Sequence, residues 1–464
     1  MRRRAFSILA VVLPAALAAA ACGSDGSSGD GGPLLVWTVE DTADRVQAQE
    51  RLLAKFTEET GVETKLVAVA EAQLTTVLTS AASSGELPDV IGAVSLPIVN
   101  QLQTDELLDT AAAAEVVESL GADTFAERAL ALTRDGDTQL AVPSDGWAQL
   151  LYYRKDLFEQ AGLEPPTSYA AIQAAAARLD QDGVAGIVAS TTPADPFTHQ
   201  TFEHLALAND CQLVGDDGKL TLDSPECVEA FQFYGDLIRD HSVAGNQDVD
   251  TTRASYFAGK AAMVIWSSFL LDELAGLRAD AMPNCPQCQA DKTFLAKNTG
   301  VVAGLTGADS SGSSEPTTFG EVVSFAILQE ADTDGAKQLV EYLMGDGYAD
   351  WLGVAPEGKV PVRTGTSDDP AAYLEQWRSL KAGVDTKAPL AQFYDEQTLQ
   401  AVEESPDTFR RWGFTQGKGE LAGAVTGQLV VPKALAEMLN GSGAAAAASA
   451  ANDEAASIED ELGS

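Results

Sequence analysis

The residues of this chain that could do chemistry are its histidines, its cysteines and a large excess of carboxylates. The 464 residues include three histidines, and 69 Asp and Glu stand against 29 Lys and Arg. His199 and His204 are five positions apart, so they do not share a helix face as a metal-binding i, i+4 pair would. With so many carboxylates, any two could be proposed as a glycosidase acid pair, so their number alone does not identify an enzyme.

The common catalytic motifs are absent from the sequence. It contains no GxxxxGK[ST] phosphate loop, no GxGxxG after a predicted strand, no HExxH and no GxSxG. Each motif supplies a backbone cradle, a metal ligand or a nucleophile that its chemistry requires. We therefore predict that the protein is not an enzyme and holds no metal or cofactor.

The chain has five cysteines, and the pattern of four of them favours disulfides if the protein is exported. Cys211 and Cys227 flank a segment with an Asp-Gly pair typical of a hairpin turn, so folding back would bring the two together. Cys285 and Cys288 form a CxxC motif with three open interpretations: a structural disulfide, a redox pair or half of a zinc site. Zinc would need further ligands, and the sequence has no second CxxC.

The N-terminal residues predict export. Three arginines at 2–4 precede an uncharged run at 5–21, which has the length and composition of a signal-peptide core. Small residues then lead into Cys22, as in a bacterial lipobox, in which the cysteine is diacylated and becomes the new N-terminus. Ala19 stands where that pattern prefers a large aliphatic residue. The arginines fit either the general secretory or the twin-arginine route.

Residues 22–33 follow the predicted signal peptide (1–21). We predict that they form a lipidated cysteine and a flexible Gly/Ser-rich tether. No later apolar run reaches the ~18 residues that a membrane span needs. These features predict a globular protein anchored to the outer face of the cell membrane by an N-terminal lipid.

Composition limits the classes of partner. The formal charge is −40, and 45% of the residues are hydrophobic, enough to fill a core. An acidic surface repels nucleic-acid phosphates, so we predict no nucleic-acid partner. The length suggests two or three domains, at roughly 100–200 residues each.

Hydrophobic periodicity predicts the elements that must position any site. A buried strand at 34–39 is followed by a helix over 42–59 that ends at Gly61. A strand at 64–70, a helix at 71–84 and a strand from 88 continue the alternation. Strands that alternate with helices through short turns indicate a parallel βαβ sheet.

The rest of the chain reads as a helical insertion followed by a return to α/β structure. Residues 147–277 are predicted to be mostly helical, with one helix over 150–158 and a hairpin near 213–223. A strand at 322–328 follows. The segment 441–464 is rich in alanine and acidic, and we predict a frayed helix or a disordered tail.

Several motifs in order along the chain carry a family resemblance. They are VWTVEDTADRVQAQERLLAKFTEETGVETKLVAV, SGELPDVIG (84–92), LAVPSDGWAQLLYYRKDLFEQAGLEPPTSY (140–169), FAGKAAMVIWSSFLLDEL (257–274) and GKVPVRTG (358–365). The third is the most specific. Together they resemble family 1 of the extracellular solute-binding proteins of sugar ABC transporters, the group that includes maltose-binding protein. The matches span roughly 34–432.

The resemblance implies an α/β, two-lobed periplasmic-binding-protein-like fold of class II. Its mixed sheets are flanked by helices, and a ligand cleft lies between the lobes. The segments expected in each part are 34–143 plus about 295–350 for lobe 1, 144–294 plus about 351–440 for lobe 2, and 441–464 for the tail.

The function that the resemblance implies is that of an extracytoplasmic receptor of an ABC importer. It would be a monomer that binds a mono- or oligosaccharide between its lobes and delivers it to the permease subunits in the membrane. One alternative is an exported carbohydrate-active hydrolase that uses a carboxylate pair. Another is a thiol–disulfide or zinc lipoprotein built on the CxxC motif.

A sugar site needs aromatic planes for the C–H faces of the ring, and carboxylates and other polar groups for the hydroxyls. Ligands of open α/β sheets collect at the carboxyl ends of strands. On this basis we predict ten ligand-binding residues: Trp37, Glu40, Asp41, Asp89, Asp145, Gly146, Trp147, Trp266, Glu321 and Arg363. The alternative roles are core packing for the tryptophans, caps or solvated loops for the carboxylates, and a salt bridge for Arg363.

Overall fold

A computed structural model describes residues 32–308 and 315–463 of the chain. The predicted signal peptide, Cys22 and all but the last two residues of the predicted tether lie outside these described residues. Within them, each helix is too short or too polar to span a bilayer.

Thirteen β-strands lie in the described part of the chain, and nine of them form one mixed sheet. In chain order the strands are β1 (Leu34–Thr38), β2 (Thr64–Ala68), β3 (Val90–Val94), β4 (Arg134–Asp135), β5 (Thr138–Gln139), β6 (Val142–Arg154), β7 (Met263–Ser267), β8 (Thr299–Val302), β9 (Thr318–Ile327), β10 (Val360–Pro361), β11 (Lys381–Ala382), β12 (Ala388–Pro389) and β13 (Phe409–Arg410).

The α-helices of the same residues flank this sheet. They are α1 (Ala43–Thr60), α2 (Glu71–Ser84), α3 (Leu96–Thr104), α4 (Thr110–Leu120), α5 (Glu127–Leu132), α6 (Lys155–Ala161), α7 (Tyr169–Leu179), α8 (Pro196–Ala208), α9 (Pro225–His241), α10 (Val249–Phe257), α11 (Leu270–Leu274), α12 (Phe294–Lys297), α13 (Thr333–Met344), α14 (Tyr348–Leu352), α15 (Ala372–Ser379), α16 (Glu396–Glu403), α17 (Gly419–Gly427), α18 (Val430–Glu437) and α19 (Ala444–Leu462).

The predicted βαβ start is confirmed. The first strand β1 lies between β2 and β3 and pairs with both in parallel, and α1 and α2 make the connections. Helix α1 ends at Gly61, whose φ of 76° lies in the left-handed region that glycine adopts without strain. Strand β9 then runs antiparallel to β3, which makes the sheet mixed.

Strand β6, 13 residues long, is shared by two groups of strands. Its first half pairs with β9 and β10, in the sheet that carries β1–β3, and its second half pairs with β7 and β8. We call β6, β9 and β10 the crossover strands. Strand β6 therefore connects the two groups of strands.

The predicted helix over 150–158 is wrong in its first half. Strand β6 continues to Arg154, and the helix begins at Lys155. Leu150–Tyr153 pair with β7 on one side, and part of the run also pairs with β8 on the other. A short apolar run buried from both sides does not reveal by periodicity alone whether it is strand or helix.

The Ala-rich C-terminal segment forms a packed helix, so the expectation of a frayed or disordered tail is wrong. Along α19, Ala447, Ala451 and Ala455 recur every fourth residue, and each is at most 1% exposed. This stripe of small side chains lets α19 pack closely against α9, α17 and α18. The acidic residues that suggested disorder lie mainly on the other faces.

Both cysteine pairs form disulfides, Cys211 with Cys227 and Cys285 with Cys288. Between the first two, Val214 pairs with Leu220 around the predicted turn. All four cysteines are fully buried. The CxxC cysteines are therefore bonded to each other and buried, as the structural interpretation predicts.

We expect the Cys211–Cys227 bond to stabilise the fold more than the Cys285–Cys288 bond. The first closes a sequence separation of 16 and the second a separation of 3. The entropy removed from the unfolded chain grows with loop length and is worth about 3 kcal/mol for a loop of roughly 15 residues. In thermal unfolding, replacing the first pair by alanine should lower Tm more than replacing the second. Equal losses would contradict this explanation.

Candidate functional site

Polar side chains gather at the edge of the sheet where β1, β2 and β3 end. Glu40 and an exposed Asp41 follow β1, Glu71 follows β2, and Ser95 follows β3 and donates to Glu71 at 3.5 Å. Partial burial, followed by the charges of Glu321 and Glu40, raises the pKa of Glu71. These carboxylates therefore lie close enough to repel one another, as expected where parallel strands end together.

Two cations hold Glu40 in place. Arg45 approaches it to 2.5 Å and Lys359 to 2.8 Å. Burial opposes the ionisation of Glu40, but Lys359 and Arg45 outweigh burial and lower the pKa of Glu40 to about 2. This edge of the site therefore keeps a charged, fixed acceptor at physiological pH.

Asp145 lies on the other side of Lys359 and is fully buried. It accepts hydrogen bonds from the Trp351 indole at 2.8 Å, from Lys359 at 3.2 Å and from the Ser144 hydroxyl at 2.6 Å. These contacts give the fully buried Asp145 a role in the fold, and its predicted ligand-binding role stays a prediction. Asp145 ties β6 to the segment before β10.

Three aromatic rings lie together on one face of the crossover strands. Trp147 is half-buried, and its ring centroid lies 5.7 Å from that of Phe319 and 6.4 Å from that of Phe269. We call Trp147, Phe269 and Phe319 the aromatic floor. A partly exposed indole supported by two rings can receive the apolar face of a ligand. Trp147 is thus the predicted tryptophan best placed to contact a solute.

Glu321 lies beside this floor, opposite Trp147 in the pairing of β6 with β9. One of its oxygens accepts the Leu96 N–H at 2.8 Å, and the other pairs with the buried Arg411. The Arg411 guanidinium lies 4.2 Å from the centroid of Phe319. Sequence reasoning missed Arg411 because its partner is 90 residues away and its own surroundings carry no motif.

Two predicted site residues lie elsewhere. A Cβ on Gly146 would come within 2.6 Å of the Phe409 ring, which covers the face of β6 opposite Trp147, so this glycine serves packing. Asp89 precedes β3, at the far end of the sheet, and accepts the N–H groups of Leu35 and Asp332. Both ligand-binding predictions are corrected by these positions.

Two predicted tryptophans have covered rings. Trp37 is 6% exposed and belongs to a hydrophobic cluster with Leu74, so it is a core residue. Trp266 is 7% exposed, its indole N–H donates to the Val249 carbonyl, and Phe197 packs on it at 5.7 Å. Neither ring offers an open face, which corrects the predicted stacking role of both.

Arg363 is buried, and its guanidinium serves the fold. Its N–H groups donate to Thr124 at 2.9 Å, to the Leu120 carbonyl at 2.7 Å, to Tyr373 at 3.2 Å and to the Met344 carbonyl. The predicted ligand contact is corrected because these donors are engaged. Arg363 instead connects the segment after β10 to the C-terminal ends of α4 and α13.

The two histidines tested for a metal pair have separate roles. His199 contacts Glu203 at 3.0 Å, and His204 accepts the Phe319 N–H at 3.2 Å. Among residues 32–308 and 315–463, no group of three or more His, Cys, Asp and Glu side chains is arranged to hold a metal ion.

A cavity of about 420 Å³ lies beside Phe409, whose ring covers the face of β6 opposite Trp147. It is lined by Phe409, Arg128, Asp210, Arg410 and Arg411, among others. Its arginines already have partners, Glu315 at 2.5 Å from Arg128 and Asp210 at 3.5 Å from Arg410. It therefore lacks the combination of an open ring and strand-end carboxylates that the Trp147 face has.

Two buried carboxyl groups, those of Asp272 and Glu357, have oxygens without a hydrogen-bond partner among the described residues. Asp272 is 1% exposed and Glu357 is 5% exposed, and neither Asp272 oxygen nor Glu357 Oε2 has a hydrogen-bond partner among the described residues. Burial raises the pKa of both groups, and the Glu357 charge adds to the shift of Asp272. The positive charge of Arg45, the partner of Glu40, partly opposes the rise in the pKa of Glu357.

This burial predicts a loss of stability as the pH rises. In the unfolded chain both carboxyls titrate near the ordinary value of about 4. Since their folded pKa values are higher, the folded state binds more protons above that pH, and the free energy of unfolding falls as the pH increases. Urea unfolding of Asp272→Asn between about pH 5 and pH 9 should show a shallower decline than the native protein.

The matched control for this experiment is Asp334→Asn, because the Asp334 side chain is 98% exposed. We expect it to keep the native pH dependence of unfolding. An unchanged slope in Asp272→Asn, or the same flattening in the control, would contradict the assignment.

The sequence matches the family model for bacterial extracellular solute-binding proteins over residues 40–350. It is similar to the putative ABC transporter periplasmic-binding protein YcjN of Escherichia coli (strain K12), with 27% identity over 320 residues, 67% of this chain and 69% of that protein. A shorter match, 29% identical over 141 residues, is to the sn-glycerol-3-phosphate-binding periplasmic protein UgpB of Brucella abortus (strain 2308). It covers 28% of this chain and 32% of UgpB.

Among solved structures, the cyclic alpha-maltosyl-1,6-maltose binding protein from Arthrobacter globiformis has the same two-lobed fold. The TM-score is 0.69 at 20% identity, over 92% of this chain and 99% of that one. The family and these relatives are binding proteins, not enzymes. Because the family model covers more than half of its length, this chain belongs to the bacterial extracellular solute-binding protein family.

Proposed function

We propose that the protein is the extracytoplasmic receptor of an ABC importer and that it binds an uncharged carbohydrate between its lobes. The observation that carries the proposal is the position of the aromatic floor next to Glu321 and the strand-end carboxylates Glu40 and Glu71. Aromatic rings stack on the C–H faces of sugars, and carboxylates accept hydrogen bonds from their hydroxyls. The sugar-binding structural neighbour supports the same class of solute.

Delivery to a permease would follow from closure of the lobes around the solute. The crossover strands join the lobes, so a rigid-body closure would bend the backbone there. Contacts from both lobes would stabilise the closed form. The lipobox-like sequence before Cys22 supports an anchor on the cell membrane, from which a monomeric receptor would reach the permease subunits.

The charge of the site favours an uncharged sugar over a phosphate ester. Arg45 and Lys359 are balanced by Glu40 and Asp145, and Arg411 pairs with both Glu321 and Glu203. Within the described chain, no salt bridge balances Glu71, and burial, followed by the charges of Glu321 and Glu40, raises its pKa. A phosphate dianion at this edge would be repelled, which argues against transferring the sn-glycerol 3-phosphate of the UgpB name to this chain.

The direct test is a thermal-shift screen of the mature protein against neutral mono- and oligosaccharides and sn-glycerol 3-phosphate. A ligand at about 100 times its Kd should add roughly 2.7 kcal/mol of stability. We expect neutral sugars to raise Tm and sn-glycerol 3-phosphate to leave it unchanged. A shift with the phosphate ester alone, or with peptides or metals but no sugar, would overturn the proposal.

The aromatic floor makes a second prediction. Trp147→Ala should weaken the affinity for the sugar that gives the largest shift by about 2 kcal/mol or more, ~30-fold in Kd, since it removes the exposed ring. Isothermal titration calorimetry measures this loss. Phe233→Ala is the control, because Phe233 is a half-buried ring that stacks on Tyr169 at 3.6 Å. Equal affinities of Trp147→Ala and the native protein would refute the stacking role.

A further inference from the structure

The Arg411 side chain is buried between two carboxylates and two aromatic rings. The residue is 7% exposed and pairs with Glu321; its Nε also lies 3.4 Å from Glu203, an ion pair in which the Nε–H has no hydrogen-bond partner among the described residues. The ring centroids of Phe319 and Phe414 lie 4.2 and 5.1 Å from its guanidinium carbon. Burial opposes the charge of Arg411, but Glu321 and Glu203 outweigh it and raise its pKa, so the group stays a cation.

The carboxylate of Glu321 connects Arg411 to the first lobe. Glu321 lies in β9, and its other oxygen accepts the Leu96 N–H at 2.8 Å, at the start of α3. Helix α3 follows β3, which pairs with β1 in the main sheet. Displacement of Glu321 would therefore release the first turn of this helix.

The carboxylate of Glu203 connects Arg411 to helices α8 and α9. Glu203 lies in α8, accepts the Trp412 N–H at 2.8 Å and contacts His199 at 3.0 Å. Helix α8 packs against α9, with the rings of Phe202 and Phe231 4.4 Å apart. Both helices lie in the segment predicted for lobe 2 and α3 lies in the segment predicted for lobe 1, so with these predicted boundaries the two partners of Arg411 anchor different lobes.

We propose that Arg411 is a positioning residue that sets the resting angle between the lobes and holds one side of the candidate solute site. A guanidinium presents five N–H donors in a planar fork, so one side chain can hold two carboxylates in fixed directions. A lysine would supply the same charge from a single point. The role in the site rests on the proposed function, whereas the role in the lobe angle does not.

The same contacts link the lobe angle to the aromatic floor. The Phe319 ring under the guanidinium lies 5.7 Å from Trp147, and Glu321 is opposite Trp147 across β6 and β9. A shift of α8 relative to α3 therefore moves the Phe319 ring that supports Trp147, and it moves the Glu321 carboxylate beside it. Solute affinity and lobe angle should change together when Arg411 is altered.

Three variants separate position from charge. Arg411→Lys keeps the charge and removes the fork. Arg411→Met combined with Glu203→Gln and Glu321→Gln removes all three charges and keeps acceptors for the Leu96 and Trp412 N–H groups; replacing a whole buried ion cluster is tolerated far better than removing one member. The control is Arg410→Met, since Arg410 is 29% exposed and pairs only loosely, at 3.5 Å, with Asp210.

The measurement is small-angle X-ray scattering of the mature, solute-free protein, with circular dichroism to establish that each variant is folded. We expect a larger radius of gyration for Arg411→Lys and for the triple variant, and the native value for Arg410→Met. Native values in both Arg411 variants would overturn the proposal, as would an equal increase in Arg410→Met. If the triple variant does not fold, Arg411→Lys decides the question.

Scattering needs no solute, so the result is separable from the proposed function. A changed radius of gyration with no sugar binding by the native protein would count against the carbohydrate proposal and support the role of Arg411 in the lobe angle. Where a sugar binds, its Kd should rise in Arg411→Lys and stay native in Arg410→Met. A raised Kd with an unchanged radius of gyration would contradict the link between angle and site.

Discussion

Backbone pairing in the crossover strands is the constraint on which the rest of the structure depends. The first half of β6 pairs with β9 and β10, and its second half pairs with β7 and β8. Because side chains alternate along a strand, this pairing places Trp147 and Glu321 on one face. The other face is closed by Phe409, which packs where Gly146 and Gly320 lack a side chain. One face becomes a packed layer, and the other carries the candidate site.

Buried ion pairs connect these strands to the segments around them. Lys359 lies between Glu40 and Asp145, and Arg411 lies between Glu203 and Glu321. Removing such groups from water is costly, and apolar residues of similar size often stabilise a fold as well or better. Their value here is geometric, because each cation fixes a carboxylate that lies at or near the edge where β1–β3 end. The candidate site and the packing of the crossover strands therefore depend on the same charged residues.

The sequence predicted well what short-range patterns control. The β-branched runs and Gly61 marked β1, α1 and β2, and the Asp-Gly turn pointed to the Cys211–Cys227 bond. It failed where distant partners decide. Asp145 had the sequence position of a site residue, but its carboxylate accepts a hydrogen bond from Lys359, which is 214 residues away along the chain. The missed Arg411 is likewise defined by contacts that no local motif records, and α19 is ordered by the helices beneath its alanine stripe.

The central claim is that a sugar binds on the Trp147 face of the crossover strands, between the lobes. The most direct measurement is a crystal structure of the mature protein with the sugar that stabilises it most. The account predicts a sugar ring against Trp147, with hydroxyls donating to Glu40 or Glu321. A sugar bound instead in the cavity beside Phe409 and Arg410, with the Trp147 face empty, would contradict it.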